Sequence, residues 1–93
     1  MTKVVVGKNL DRHTYIVADS YIVAEDGSRK NFTHEPTVRD LLEIADPEYA
    51  RSSYNLVGTT IDAGNIDKTF PQLGVADGVT TYLLAVAKAD NAV

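Results

Sequence analysis

The chain contains no cysteine. That absence excludes disulfides, thiolate zinc sites and a cysteine nucleophile, and it makes a reducing compartment, the cytoplasm, the expected location. There is no apolar run near the about 20 residues that span a bilayer, and Val4-Val5-Val6, closed by Gly7 and Lys8, is too short for a signal-peptide core. No phosphate-cradling Gly-rich loop and no nucleophile elbow is present. Basic residues are scarce: nine Lys and Arg stand against thirteen Asp and Glu, for a net charge of −4. A thin spread of cations on an acidic chain argues against binding a phosphate backbone. Neither nucleic acid nor membrane is expected as a partner.

Ninety-three residues, 44% of them apolar, are enough for one folded domain and too apolar for a disordered chain. Lys3 to Val6 reads as a short strand, and Gly7-Lys8-Asn9-Leu10-Asp11 as a turn. His13 to Ala24 carries the longest strand signal of the first half, with Asp19-Ser20 as its interruption. Glu25-Asp26-Gly27-Ser28 is a hairpin turn, and Arg29 to Thr33 returns with Phe32 as its apolar anchor. Thr37 caps a helix in a capping box that uses Asp40 in place of Glu. Val38, Leu41, Leu42 and Ala45 then form one apolar stripe at helical spacing. Pro47 opens a single further turn through Tyr49 and Ala50.

Tyr54-Asn55-Leu56-Val57 is the next strand, closed by Gly58. Ile61 and Ile66 stand alone in a polar loop, and Leu73-Gly74 ends a 3₁₀-like turn. Asp77-Gly78 turns the chain into Val79 to Val86, a strand in which Tyr82, Leu84 and Val86 alternate with Thr81, Leu83 and Ala85. A strand apolar on both faces belongs in the middle of its sheet. Tyr82 reads as a structural strand residue.

Candidate chemistry is thin. His34 beside Glu35 makes an acid–base pair conceivable, but two surface side chains explain it as well. Two distant histidines without cysteine do not make a metal site. Asp62, Asn65 and Asp67 place three oxygen side chains in one loop, yet without the alternate spacing and closing Glu of a calcium loop they read as a solvated turn. No catalytic residue, cofactor or metal is expected.

The order hairpin, helix, strand, short turn, strand resembles the ubiquitin-like, β-grasp family from Tyr21 to Lys88. The residues that carry the resemblance are Tyr54-Asn55-Leu56-Val57-Gly58, Lys68-Thr69-Phe70 with Leu73-Gly74-Val75, and Thr80-Thr81-Tyr82-Leu83-Leu84. It implies an α+β fold with a mixed sheet of four to five strands on one helix. Residues 1–19 then form an N-terminal strand or extension, 20–88 the domain and 89–93 a flexible tail. The family's terminal Gly-Gly is missing: the chain reads Lys88-Ala89-Asp90-Asn91-Ala92-Val93 at its end, which sets it apart as a divergent member.

The resemblance implies a non-enzymatic module that binds a protein through its sheet face or an edge strand, as a monomer or weak homo-oligomer. Asn55, Leu83 and Ala85 are the matching contact positions, with Gly27 or Ser28 at the hairpin tip. Leu83→Asp is then expected to abolish binding and leave the fold intact. The alternatives are a modifier or sulfur carrier activated at its C-terminus, and a small structural subunit of a phage or mobile-element assembly.

Overall fold

The computed structural model describes residues 1–86. The β-branched N-terminus extends as Thr2–Lys8 (β1) and folds back as Asp11–Val17 (β2), antiparallel across a two-residue turn at Asn9-Leu10. Asn9 takes φ 58, the left-handed region that asparagine tolerates better than most residues. A second hairpin, Tyr21–Ala24 (β3) and Arg29–Asn31 (β4), adds to the outer edge of β2.

Helix Val38–Ala45 (α1) starts where the capping box predicts. Thr37 Oγ1 accepts from Asp40 N–H at 3.2 Å, and Asp40 Oδ2 accepts from Thr37 N–H at 2.9 Å. Two further orphan donors of the first turn are met by a distant loop: Val38 N–H bonds the Lys68 carbonyl and Arg39 N–H that of Ile66. Strand Ser53–Leu56 (β5) turns at Val57-Gly58 into the two-residue strand Thr59–Thr60 (β6). After a 3₁₀ turn at Pro71–Leu73, ended by Gly74 at φ 89, Thr80–Val86 (β7) closes the sheet.

The strand order is β4-β3-β2-β1-β7-β5-β6. Among the described strands only β1 and β7 are parallel, paired from Lys3 with Thr80 to Gly7 with Leu84. The architecture is α+β, with one helix and a mixed sheet.

The sheet has seven strands rather than four to five. Asp19-Ser20 divides the His13–Ala24 run into two strands, and the turn expected over residues 7–11 shrinks to Asn9-Leu10, which lengthens β1 and β2. The segment expected as an N-terminal strand or extension forms strands inside the sheet. It supplies β1, flanked by β2 and β7, because Val4 and Val6 belong in the core. β7 is internal, as its apolar content predicts. The tail assigned to residues 89–93 lies outside the described residues.

α1 covers one face of the sheet. Val38, Leu41 and Leu42 pack among Val4, Val6, Val17, Ile22, Leu56 and Leu83, with Phe70 and Ile61 closing the side. Each such side chain contributes about 1.5–3 kcal/mol by leaving water. Ile61, isolated in sequence, is thus a core residue.

The β5–β6 turn carries visible strain. Val57 has φ 47 and Gly58 φ 90, the type I′ pattern that favours Asn or Gly at the first position. A β-branched residue there is an outlier, and Val57 is also 71% exposed, so packing does not compensate. Val57→Asn is expected to raise stability by about 1 kcal/mol, read as about 4–8 °C in Tm. An unchanged or lower Tm would show the turn to be relaxed.

Candidate functional site

Alternation along the strands gives the sheet two unlike faces. The face toward α1 is the core. The opposite face has no covering element among the described residues.

Strand register fixes what stands beside what on that open face. One row runs Arg29, Val23, Ile16, Lys3, Thr80 across five strands. The next holds Thr14, Val5 and Tyr82, and the next Arg12, Gly7, Leu84 and Asn55. Val5, Ile16, Val23 and Leu84 are half-buried there, while Tyr82 is 47% exposed. The result is an apolar centre open to solvent.

Gly7 shapes that centre. A Cβ at position 7 would lie 2.8 Å from Leu84 Cδ2 and 3.4 Å from Arg12 Cγ, so these two side chains lean together over the glycine. At the far end the Arg29 guanidinium stacks on the Tyr21 ring, 3.7 Å from its centroid.

The three contact positions expected from sequence divide between the faces. Asn55 lies on the open face, beside Leu84. Leu83 is 0% exposed in the core, and Ala85, paired with Tyr54, lies on the same inner side. The open positions of β7 are Tyr82, Leu84 and Val86 instead. The reason is the strand's period of two: with both faces apolar, a shift of one residue exchanges them without any signal in composition. Leu83→Asp therefore places an unpaired carboxylate in the core and is expected to unfold the domain, visible as loss of the cooperative melt by circular dichroism. Tyr82, read as structural, is an exposed ring.

The polar clusters are engaged in the fold. His34 Nε2 lies 2.9 Å from Asp40 Oδ2, so its carboxylate neighbour is the helix-cap residue and not Glu35. His13 Nδ1 lies 3.1 Å from Glu25 Oε1, and this contact holds the Glu25 carboxyl below its usual value. Arg39 forks onto both Asp67 oxygens and also donates to the Tyr49 hydroxyl. Asp62 Oδ1 accepts from Gly64 N–H, and Asn65 Oδ1 from Asp62 N–H. The three loop oxygens considered for calcium thus serve the turn and Arg39. Among the described residues no group of three or more His, Asp or Glu side chains converges to hold a metal ion.

A cavity of about 150 Å³ opens beside the end of α1, lined by Val6, Lys8, Asp11, His13, Tyr15 and Asp46, with Ala45 and Tyr54. Inside it Asp46 Oδ2 accepts from the Tyr54 hydroxyl at 2.8 Å and from Lys8 Nζ at 3.3 Å. Its Oδ1 accepts from Glu48 N–H at 3.1 Å and begins the 3₁₀ turn at Tyr49–Arg51. Burial alone would raise the Asp46 carboxyl, but these donors outweigh it and hold it below the usual range. Burial and the same carboxylate push the Tyr54 hydroxyl up. The cluster ties β1, α1 and β5 together.

A depressed folded-state carboxyl stabilises above its unfolded value, about 3.9, and that stability is lost as pH falls through the lower folded value. Asp46→Asn is expected to cost on the order of 1–3 kcal/mol at neutral pH. The gap between variant and wild type should close from about pH 5 toward about pH 2. Thermal melts across that range test it, and a gap constant with pH would assign the stabilisation to shape rather than charge.

No protein-family model and no curated protein matches this chain.

Proposed function

We propose that this chain is a β-grasp module of the ubiquitin kind, and that it acts without catalysis by binding another protein through the open face of its sheet. The strand order supports the fold reading. Among the described residues β1 and β7 pair in parallel at the centre, an antiparallel hairpin extends one side, a short pair extends the other, and one helix lies across one face. The β3–β4 hairpin is then an addition at the β2 edge.

The single observation that carries the binding reading is the uncovered apolar centre formed by Val5, Ile16, Tyr82 and Leu84. Such a surface on a small domain marks an interaction site. A half-exposed tyrosine beside aliphatic neighbours is a good anchor for one. The edges are less suited to strand addition. β4 is three exposed residues, two of them cationic, and β6 is only two residues long. The non-enzymatic reading is supported by the state of the polar groups: the histidines, Arg39 and Asp46 each bond within the fold.

A photo-crosslinking residue at position 82 tests the proposal. In the source cells it is expected to capture a discrete protein, and Leu84→Asp in the same chain should reduce that capture by at least about tenfold. The same crosslinker at Glu43, exposed on the helix side, should capture none. Capture from position 43 and none from position 82 would move the interface to the other side of the molecule.

A further inference from the structure

We infer that the segment docking on the open sheet face is acidic: a stretch of polypeptide that carries carboxylates among apolar side chains. The inference rests on the protein-binding reading above and adds the partner's chemistry to it. Its ground is the distribution of charge. The chain is acidic overall, with a net charge of −4. The strand positions of the open face nevertheless include Lys3, Arg12 and Arg29 and not one Asp or Glu. Asp11, the single acidic residue in any described strand, alternates to the inner side, where it lines the cavity with Lys8.

None of these cations is neutralised: Arg29 donates only to the uncharged Asn31 Oδ1, at 3.0 Å, and lies on the Tyr21 ring. Among the described residues none of the three has a carboxylate within ion-pair distance. They flank the apolar centre on the β1, β2 and β4 side. Lys3 lies between Ile16 and Thr80, and Arg12 leans over Gly7 against Leu84. Arg29 stands two strands beyond Ile16, held flat on Tyr21. An apolar centre with a rim of one sign is the pattern that selects partners by charge.

Single-stranded nucleic acid is the other polymer with complementary charge. Three cations on an acidic chain displace few counterions. The centre is aliphatic apart from Tyr82, and the Tyr21 ring is already occupied by Arg29. Stacked bases need free ring faces, whereas aliphatic side chains fit Val5, Ile16 and Leu84. The observations favour polypeptide.

Selection of a random dodecapeptide library on the immobilised full chain tests this, with counter-selection on Leu84→Asp and on Tyr82→Asp. Both variants are first checked for a native thermal melt, and the more exposed Tyr82 site keeps the test valid if Leu84→Asp unfolds. The expected result is that face-dependent peptides are enriched in Asp and Glu beside apolar residues. Combined Lys3→Glu, Arg12→Glu and Arg29→Glu should weaken them by at least about tenfold at low salt in fluorescence anisotropy, and added salt should shrink the difference.

Face-dependent peptides without acidic excess, bound equally by the charge-reversed chain, would overturn the inference and leave protein binding standing. Displacement of the peptides by a thymidine oligonucleotide, itself sensitive to Arg12→Glu, would reassign the face to nucleic acid. No peptide dependent on the face would remove the binding reading and this inference together.

Discussion

The parallel pairing of β1 with β7 is the constraint on which the rest of the structure depends. Parallel neighbours cannot be joined by a hairpin, so the chain between them must leave the sheet and return. Here it leaves after β4 and crosses as α1, and it fills the sheet beyond β7 with β5 and β6 on the way back. Among the described residues this crossing supplies one helix, and one helix covers one face. The open face is therefore a direct product of the topology. Its apolar content follows from the same pairing, because the two central strands carry Val5 and Leu84 outward opposite Val4, Val6 and Leu83.

The two sides of the sheet use their polar residues differently. On the helix side, several charged groups are paired for structural ends. Asp46 joins Lys8 to Tyr54, Arg39 pins the loop at Asp67 against the helix, and Asp40 closes the cap. On the open side the cations face solvent beside apolar groups. Buried or half-buried carboxylates need donors to remain charged, and the helix side supplies them. Exposed lysine and arginine need none to stay charged.

The helix was fully legible in the sequence. Its apolar stripe has the helical period, and Thr37 with Asp40 marks its start by chemistry specific to that position. Turns governed by Gly27 and Gly74 were legible for the same reason, since each takes a positive φ. The N-terminal hairpin was not. Gly7 and Asp11 look like turn residues but pair inside strands. Gly7 sits in β1 because Leu84 and Arg12 occupy the space a side chain would need, a fact of three strands and not of one. Of the three expected contact positions only Asn55 falls on the open face, where polar and apolar residues alternate cleanly between Tyr54 and Leu56. In β7 both faces are apolar, so Leu83 and Leu84 were interchangeable until the sheet gave the strand a direction. The cationic rim was hidden for the same reason, since Lys3, Arg12 and Arg29 share a face only through the register of four strands.

The span of the central ladder also sets the order in which the molecule is able to assemble. Lys3 meets Thr80 and Gly7 meets Leu84, so β1 waits for a partner made after all the other described strands. Local pieces such as the β1–β2 and β3–β4 hairpins can form as they emerge, but the core closes only when β7 arrives to complete it. High contact order of this kind slows folding. During synthesis, the β1 edge that will become the middle of the sheet stays unpaired by β7 until every residue between Lys8 and Thr80 has been made. An edge in that state is a template for other strands, so the interval before β7 arrives is when this protein is most exposed to aggregation.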